Sequence, residues 1–181
     1  MFIGNFFNKI ESKFKRHYFS GLCFSSPSCK KENIFFAIKG TKVNGNKFIN
    51  NAIQKGAKTI ISSGKFEGLK KDILYIRSKN VRKLLSELAF AIYKKKPSNI
   101  IAVTGTNGKS SIADFYFQIL ELNKRKVASI GTLGVKTNNY IKNVSNTTLD
   151  PITLSITLDK LKKEKINDVI LEASSHGLKQ N

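Results

Sequence analysis

The sequence of 181 residues contains only two cysteines, three prolines and no tryptophan, and it has no long apolar run. A membrane-spanning helix needs roughly 18 to 20 predominantly apolar residues, so we expect no membrane insertion. Cys23 and Cys29 are too few for a disulfide framework, and we expect them to be thiols of a reducing compartment. Apolar residues make up 40% of the chain and charged residues 24%, which is typical of a globular protein.

Acidic residues are also scarce: 12 stand against 32 basic residues, which gives a formal net charge of +20. Arginine is found only at positions 16, 77, 82 and 125, so most of the basic residues are lysines. Two interpretations stay open. The lysine excess reflects an AT-rich codon composition, or it is a functional field that attracts anionic ligands. A nucleic-acid site would favour arginine, whose planar guanidinium reads phosphates and bases, so we expect no nucleic-acid partner.

The first 24 residues carry apolar side chains at helical spacing, interrupted by polar ones. They lack the continuous apolar core and the small-residue cleavage site of a signal peptide. We therefore expect an amphipathic first helix that packs on its own domain, with a helix on a membrane surface as the alternative. A cytoplasmic protein is the resulting expectation.

Strand and helix patterns alternate along the chain and predict an α/β fold in two parts. In the first part, strands are predicted at 34–38, 59–62 and 73–76 and helices at 48–55 and 81–93. In the second, strands are predicted at 100–103, 127–130 and 168–172, helices at 112–122 and 152–164, and a loop or hairpin at 131–145. Pro97 interrupts a polar stretch between them, and we predict an N-terminal domain, 1–97, and a partial central domain, 98–181.

The segment GTNGKSS lies between a predicted strand and a predicted helix. Glycines let backbone N–H groups approach phosphate oxygens, and the N-terminus of the following helix attracts the same anion. Lys109 is placed to reach the β- and γ-phosphates, and the Ser110 hydroxyl to bind Mg2+. Because Val103 stands where the common phosphate loop has a glycine, a simple glycine turn into a helix is the alternative. The predicted ATP-binding residues are Gly105, Thr106, Asn107, Gly108, Lys109, Ser110 and Ser111.

Glu172 stands at the end of the last predicted strand, at the edge where α/β sheets bind ligands. Its carboxylate oxygens suit a Mg2+ ion beside phosphate. His176 is as consistent with a structural histidine as with a ligand, since imidazole prefers softer metals. Ser174 and Ser175 have no His–Asp pairing that would make either one a nucleophile.

Four segments, in order along the chain, resemble the Mur ligase superfamily, the ATP-dependent amide-forming enzymes of peptidoglycan and folate chemistry. VTGTNGKSS is similar to its phosphate loop. Three further segments resemble the MurE type, the UDP-N-acetylmuramoyl-tripeptide synthetases: FFAIKG followed by NGNKFINNAIQKGA, then SNTTLDP, then EASSHGLKQ. The resemblance implies a UDP-substrate-binding α/β domain followed by the first part of a P-loop-type ATPase domain with a parallel sheet.

The resemblance also implies roles for single residues. Substrate contacts are implied for Ser26 at the UDP end, for Asn146, Thr147 and Thr148 at the muramoyl part, and for Ser174 and Gln180. Mg2+ ligation is implied for Ser110, Glu172 and His176, and a catalytic role for Lys109. By themselves, Thr147 and Thr148 are also consistent with hydroxyls that cap the helix starting near Pro151.

The implied activity is the ATP-dependent ligation of an acid to an amino acid, with Mg2+ as cofactor. The partners would be UDP-N-acetylmuramoyl-L-alanyl-D-glutamate and diaminopimelate or lysine, in peptidoglycan synthesis and hence in cell-wall biogenesis, cell shape and cell division. Two positions depart from the family: Ser25-Ser26-Pro27 replaces Asp-Ser-Arg, and Asn46 replaces a histidine.

The family's arginine, carbamylated lysine and C-terminal domain would lie beyond Asn181. Three predicted strands, where sheets usually have about five or six, would leave an open edge and an uncovered apolar face. We therefore expect an incomplete ligase that is inactive by itself. The alternatives are another ligase of the superfamily, such as the folate-polyglutamate or the alanyl-alanine type, and a residual nucleotide- or UDP-sugar-binding module without catalysis.

Overall fold

The computed structural model describes residues 1–40, 43–144 and 147–174, and the chain divides into two compact units, Met1–Ala91 and Ile92–Asn181. Each unit contains a five-stranded sheet with both parallel and antiparallel strand pairs, together with helices, so the predicted α/β class is confirmed. The predicted domain boundary after residue 97 lies slightly beyond this division and stays a prediction. In the described parts of the chain, no helix is long and apolar enough to cross a membrane.

The first unit is built on the strands β1 (Gly21–Cys23), β2 (Asn33–Phe36), β3 (Thr59–Ser62), β4 (Gly68–Lys70) and β5 (Ile73–Arg77). They are arranged in the order β1-β2-β3-β5-β4, and only β4 runs antiparallel to its neighbour. Its α-helices are α1 (Ile49–Gln54) and α2 (Val81–Ile92). The central strands β2 and β3 are buried along their whole length, as their continuous apolar runs predict.

The expected first helix is wrong. The chain forms two short 3-10 turns, Ile3–Asn5 and Ser12–Phe14, and then folds back on itself. The backbone N–H of Ile3 donates to the carbonyl of His17 at 3.0 Å, and that of Gly4 to Lys15 at 2.9 Å. A Cβ at Gly4 would lie within 3 Å of Lys15, so this close return needs glycine. Apolar side chains at helical spacing here cover a compact turn instead of one helix face.

The expectation of two thiols is also wrong for this structure, in which Cys23 and Cys29 form a disulfide with their Cα atoms 5.5 Å apart. Cys23 ends β1, and a 3-10 turn, Ser26–Ser28, reverses the chain before Cys29. Both sulfurs belong to the buried core around Phe35. The number of cysteines does not reveal this pairing, because the turn sets the distance between them.

The second unit is built on the strands β6 (Asn99–Val103), β7 (Val127–Gly131), β8 (Gly134–Thr137), β9 (Ile141–Lys142) and β10 (Asp168–Glu172). Its helices are α3 (Lys109–Leu122) and α4 (Pro151–Lys163). The strand order is β6-β10-β7-β8-β9, in which β6, β10 and β7 are parallel and β8 and β9 continue as antiparallel hairpins. The sequence predicted a loop or a hairpin at 131–145, and the structure has a hairpin.

The second sheet has five strands instead of the three predicted, and its β6 edge is nevertheless open in the described chain, as expected. Strand β6 is the edge strand. Ile100 and Ile101 are 40% and 42% exposed, although the apolar run to which they belong is typical of a buried strand. On α3, four apolar residues form an exposed stripe: Ile112, Phe115, Ile119 and Leu122. Only Ala113 and Phe117 of this helix are buried. An uncovered apolar face therefore accompanies the open edge.

Helix α4 begins at Pro151, and Asp150 is its N-cap. The Asp150 carboxylate accepts hydrogen bonds from the backbone N–H groups of Ile152 at 3.0 Å and Thr153 at 3.1 Å. Asp150→Ala leaves these donors without an acceptor and is expected to lower the free energy of unfolding by about 1 kcal/mol. Urea denaturation followed by circular dichroism measures the change. Asp150→Asn keeps one oxygen as acceptor and is the control; equal losses in the two variants would contradict the capping role.

Candidate functional site

The strand order of the second unit brings three chain segments to one edge. Strand β10 pairs with β6 on one side and with β7 on the other, all parallel, so their carboxyl ends lie together. The phosphate-loop segment follows β6, Thr132 follows β7, and Glu172 ends β10. A cavity of about 330 Å3 opens here, lined by residues 106–111 and by Thr132, Thr147, Glu172 and Ser174.

The loop before α3 has the geometry that the sequence motif predicts. Gly108 is the N-cap residue of α3 with φ of 78°, a left-handed conformation that favours glycine. A Cβ at Gly108 would meet no atom within 4 Å, so the glycine is required by its backbone conformation and not by lack of space. Lys109 begins the helix, and its Nζ donates to the carbonyls of Gly105 at 2.7 Å and Thr106 at 3.2 Å. The ammonium group is thus held over the loop.

Glu172 is a buried carboxylate, 4% exposed, at the base of the cavity. The Ser110 hydroxyl donates to its Oε2 at 2.8 Å, and the Thr132 hydroxyl to the same oxygen at 3.2 Å. The backbone N–H of Thr132 donates to Oε1 at 3.1 Å. A buried carboxylate needs such donors, because each unsatisfied charged oxygen is costly away from water. None of these three donors carries a positive charge.

The Ser110 and Glu172 oxygens fit a Mg2+ ion by chemistry and by spacing. Mg2+ prefers hard oxygen ligands at about 2.0–2.1 Å in an octahedron, which places neighbouring ligands about 3 Å apart. The two side-chain oxygens lie 2.8 Å apart, close to that spacing. Within the described ranges, no three His, Cys, Asp or Glu residues cluster as a metal site. A Mg2+ ion held here would take further ligands from phosphate, from water or from residues outside the described ranges.

Two of the predicted substrate threonines lie next to these residues. The hydroxyl oxygens of Thr147 and Thr132 are 3.1 Å apart. The Thr148 hydroxyl donates to the Ser174 hydroxyl at 3.0 Å and accepts from the Ser174 backbone N–H at 3.0 Å. Asp150 is the N-cap of α4. The alternative in which Thr147 and Thr148 cap this helix is therefore wrong.

Of the remaining predicted site residues, the structure describes only Ser26. Ser26 lies in the first unit, where it is buried in the turn Ser26–Ser28. Asn146, His176 and Gln180 lie outside the described residues. For these four, the implied roles stay predictions.

Sequence reasoning missed Thr132 and its neighbour Gly131. A Cβ at Gly131 would lie closer than 3 Å to three atoms of the Glu172 side chain, so only glycine leaves room for the carboxylate. The signal was present in the sequence: a Gly-Thr pair directly follows the predicted strand 127–130. The carboxyl end of a parallel strand is where such residues reach a ligand.

Comparison with known proteins points in the same direction. Residues 103–181 match the Mur ligase middle domain, and residues 19–93 match the catalytic domain of the Mur ligase family. The chain is similar to the UDP-N-acetylmuramoyl-L-alanyl-D-glutamate--2,6-diaminopimelate ligase of Rickettsia prowazekii (strain Madrid E), at 42% identity over 94% of this chain. The ligase of that name from Rickettsia montanensis is 40% identical over 96% of this chain. The chain spans 36% of the length of each relative.

Solved structures extend the comparison. A structure of a ligase with the same name matches 95% of this chain and 35% of its own, with a TM-score of 0.77 and 28% identity. The MurF ligase of Thermotoga maritima, in complex with ADP, matches 85% of this chain and 32% of its own, with a TM-score of 0.56. At 19% identity, this second match shows the fold alone. Because two family matches and these relatives agree along both units, the chain belongs to the Mur ligase family.

Proposed function

We propose that the chain forms the ATP-binding and acyl-substrate-binding part of a peptidoglycan precursor ligase. The observation that carries this proposal is the cavity that gathers residues 106–111, Glu172, Thr147 and Ser174. The names of the relatives support UDP-N-acetylmuramoyl-L-alanyl-D-glutamate as the acid. They favour diaminopimelate over lysine as the amino acid. The activity would serve cell-wall biogenesis, and through it cell shape and division.

The reaction fits the charges around the cavity. A carboxylate oxygen of the substrate attacks the γ-phosphorus of ATP, and the bond from this phosphorus to the β–γ bridging oxygen breaks, which releases ADP. The amino group of the second substrate then attacks the acyl carbon, the amide bond forms, and phosphate and a proton leave. Both the attacking group and the triphosphate are anionic, so their approach needs fixed positive charge.

Residues of the chain supply part of that charge and the alignment. The backbone N–H groups of the loop and of the first turn of α3 are placed to donate to phosphate oxygens. Lys109 would exchange the carbonyls of Gly105 and Thr106 for β- and γ-phosphate oxygens. Ser110 and Glu172 would hold Mg2+, which when bound neutralises charge on the phosphates. Thr147, Thr148 and Ser174 would bind the acyl substrate beside them.

Binding of ATP tests the proposal directly. We expect the 181-residue chain, once circular dichroism shows that it is folded, to bind ATP in isothermal titration calorimetry with Mg2+ and more weakly with EDTA. A folded chain that gives no heat of binding with Mg2+ and ATP would overturn the proposal. If the chain instead binds nucleic acid with an affinity that falls steeply with salt, the lysine excess is a functional field for anionic ligands.

Turnover is a separate matter, because the chain spans only 36% of the length of its relatives. We expect no phosphate release above background from the chain alone with ATP, UDP-N-acetylmuramoyl-L-alanyl-D-glutamate and either amino acid. A coupled phosphate assay at saturating ATP measures this. Sustained release that depends on the amino acid would contradict the expectation of an incomplete ligase.

ATP and nucleotide-linked precursors are cytoplasmic metabolites, which is why we place the activity in the cytoplasm.

A further inference from the structure

Thr132 contacts residues on two sides of the cavity. Its backbone N–H and its hydroxyl donate to the two different oxygens of Glu172, at 3.1 Å and 3.2 Å. Its hydroxyl oxygen also lies 3.1 Å from the hydroxyl of Thr147. Thr132 therefore connects the carboxylate on the nucleotide side with a threonine on the side of the acyl substrate.

The hydrogen-bond directions follow from counting protons. A threonine hydroxyl has one proton to donate, and a carboxylate accepts only. The proton of Thr132 is used on Glu172, so Thr147 must be the donor in its contact with Thr132. The chain of donors thus runs from Thr147 through Thr132 to Oε2 of Glu172. A hydroxyl at position 132 is needed at both steps, once as donor and once as acceptor.

Ser110 cannot hold the carboxylate in the same way. Its only proton goes to Oε2 of Glu172, and these two oxygens are the pair that would bind a cation. The hydrogen bond between Ser110 and Glu172 therefore competes with the cation for the same two oxygens. The two hydrogen bonds from Thr132 reach both carboxylate oxygens of Glu172 and do not involve Ser110. Gly131 contributes the space, since any Cβ there would overlap Glu172.

We propose that Thr132 is a positioning residue that orients Glu172 for a divalent cation and couples it to Thr147. The proposal rests on the proposed ATP-binding function and deepens it. The neighbours of a metal ligand fix its orientation, and their removal typically costs about 10- to 100-fold in metal affinity. Thr132→Val removes the hydroxyl with little change in shape and keeps the backbone N–H. The loss should therefore be at the lower end of that range.

The test compares ATP affinity with excess Mg2+ and with EDTA, by calorimetry on the 181-residue chain. We expect Thr132→Val to lower the ratio of the two affinities about tenfold. Its affinity in EDTA should stay within about twofold of the original chain, because the loop itself is unchanged. Thr132→Ser keeps both donors and should restore the ratio to within about twofold. The matched control is Thr157→Val in α4, whose hydroxyl donates only to the Thr153 carbonyl in its own helix.

Each result has a definite meaning. An unchanged ratio in Thr132→Val, or an equal loss in Thr132→Ser, would overturn the positioning role while ATP binding by the original chain stands. An original chain that does not bind ATP would end both proposals. Should Thr132→Val fail to fold, Thr132→Ala removes the same hydroxyl and keeps the backbone N–H. It should also lower the ratio about tenfold, and a normal ratio would overturn the proposal.

Discussion

Lys109→Ala is expected to weaken the binding of ATP in the presence of Mg2+ by about 100-fold, or about 2.7 kcal/mol. Lys109 begins α3 and lines the cavity, and its ammonium group already lies over the loop carbonyls. Removing it takes away the charged donor nearest to the expected β- and γ-phosphates. The loop backbone and the N-terminus of α3 remain, so residual binding is expected. Calorimetry at about 0.15 M salt measures the change, where long-range attraction is largely screened.

The control must separate this contact from the general attraction of a chain with a net charge of +20. Lys126→Ala removes the same charge from an exposed residue that does not line the cavity, and it should leave the affinity within about twofold. Lys109→Arg keeps the charge but replaces a compact ammonium by a planar fork, and it should restore binding only in part. If Lys109→Ala and Lys126→Ala lower the affinity for ATP equally, Lys109 makes no specific contact with a phosphate.

Most regular elements could be predicted from the sequence, because their signals are local. Strands β3 and β10 coincide with their predicted ranges, and α2 agrees to within one residue, since apolar runs and helical spacing mark them. Strands β1 and β4 were missed, and each has only three residues. Strands this short carry no readable alternation. Their pairing with β2 and β5 forms them, and pairing is not a local property.

The site was predictable only where one segment carries its own chemistry. The loop from Gly105 to Ser111 and the carboxylate of Glu172 were found because each follows a strand with a recognisable pattern. Thr132 was not, because its role depends on the position of β10 between β6 and β7. That order places residues 40 positions apart in hydrogen-bond contact. The disulfide between Cys23 and Cys29 was missed for a related reason. The prediction of free thiols used only the number of cysteines, and the turn that brings the two residues together is not visible in that number.

Helix α3 shows a further limit of sequence patterns. Its apolar residues correctly predict a helix, but four of them form the exposed stripe of Ile112, Phe115, Ile119 and Leu122. Periodicity identifies an apolar face without saying what covers it. Phe117 packs inward instead, with Lys136 Nζ 4.2 Å from the centre of its ring. Two phenylalanines on one helix therefore have opposite environments.

Phe117→Ala is expected to lower the free energy of unfolding of the second unit by about 3–5 kcal/mol. The ring is fully buried, so the substitution loses apolar contact and leaves a cavity between α3 and the sheet. The contact with the Lys136 ammonium is lost as well. Urea denaturation followed by circular dichroism, with and without Mg2+ and ATP, tests whether the change lies in the unit that we propose binds the nucleotide.

Phe115→Ala is the matched control, because the same side chain is removed from the same helix at a site that is 63% exposed. We expect its stability to change by no more than about 0.5 kcal/mol. Phe117→Leu should lie between the two, and it keeps the comparison measurable if the alanine variant is too unstable to fold. If Phe115→Ala costs as much as Phe117→Ala, Phe115 is not exposed in the folded protein, and the difference in burial between the two phenylalanines is wrong.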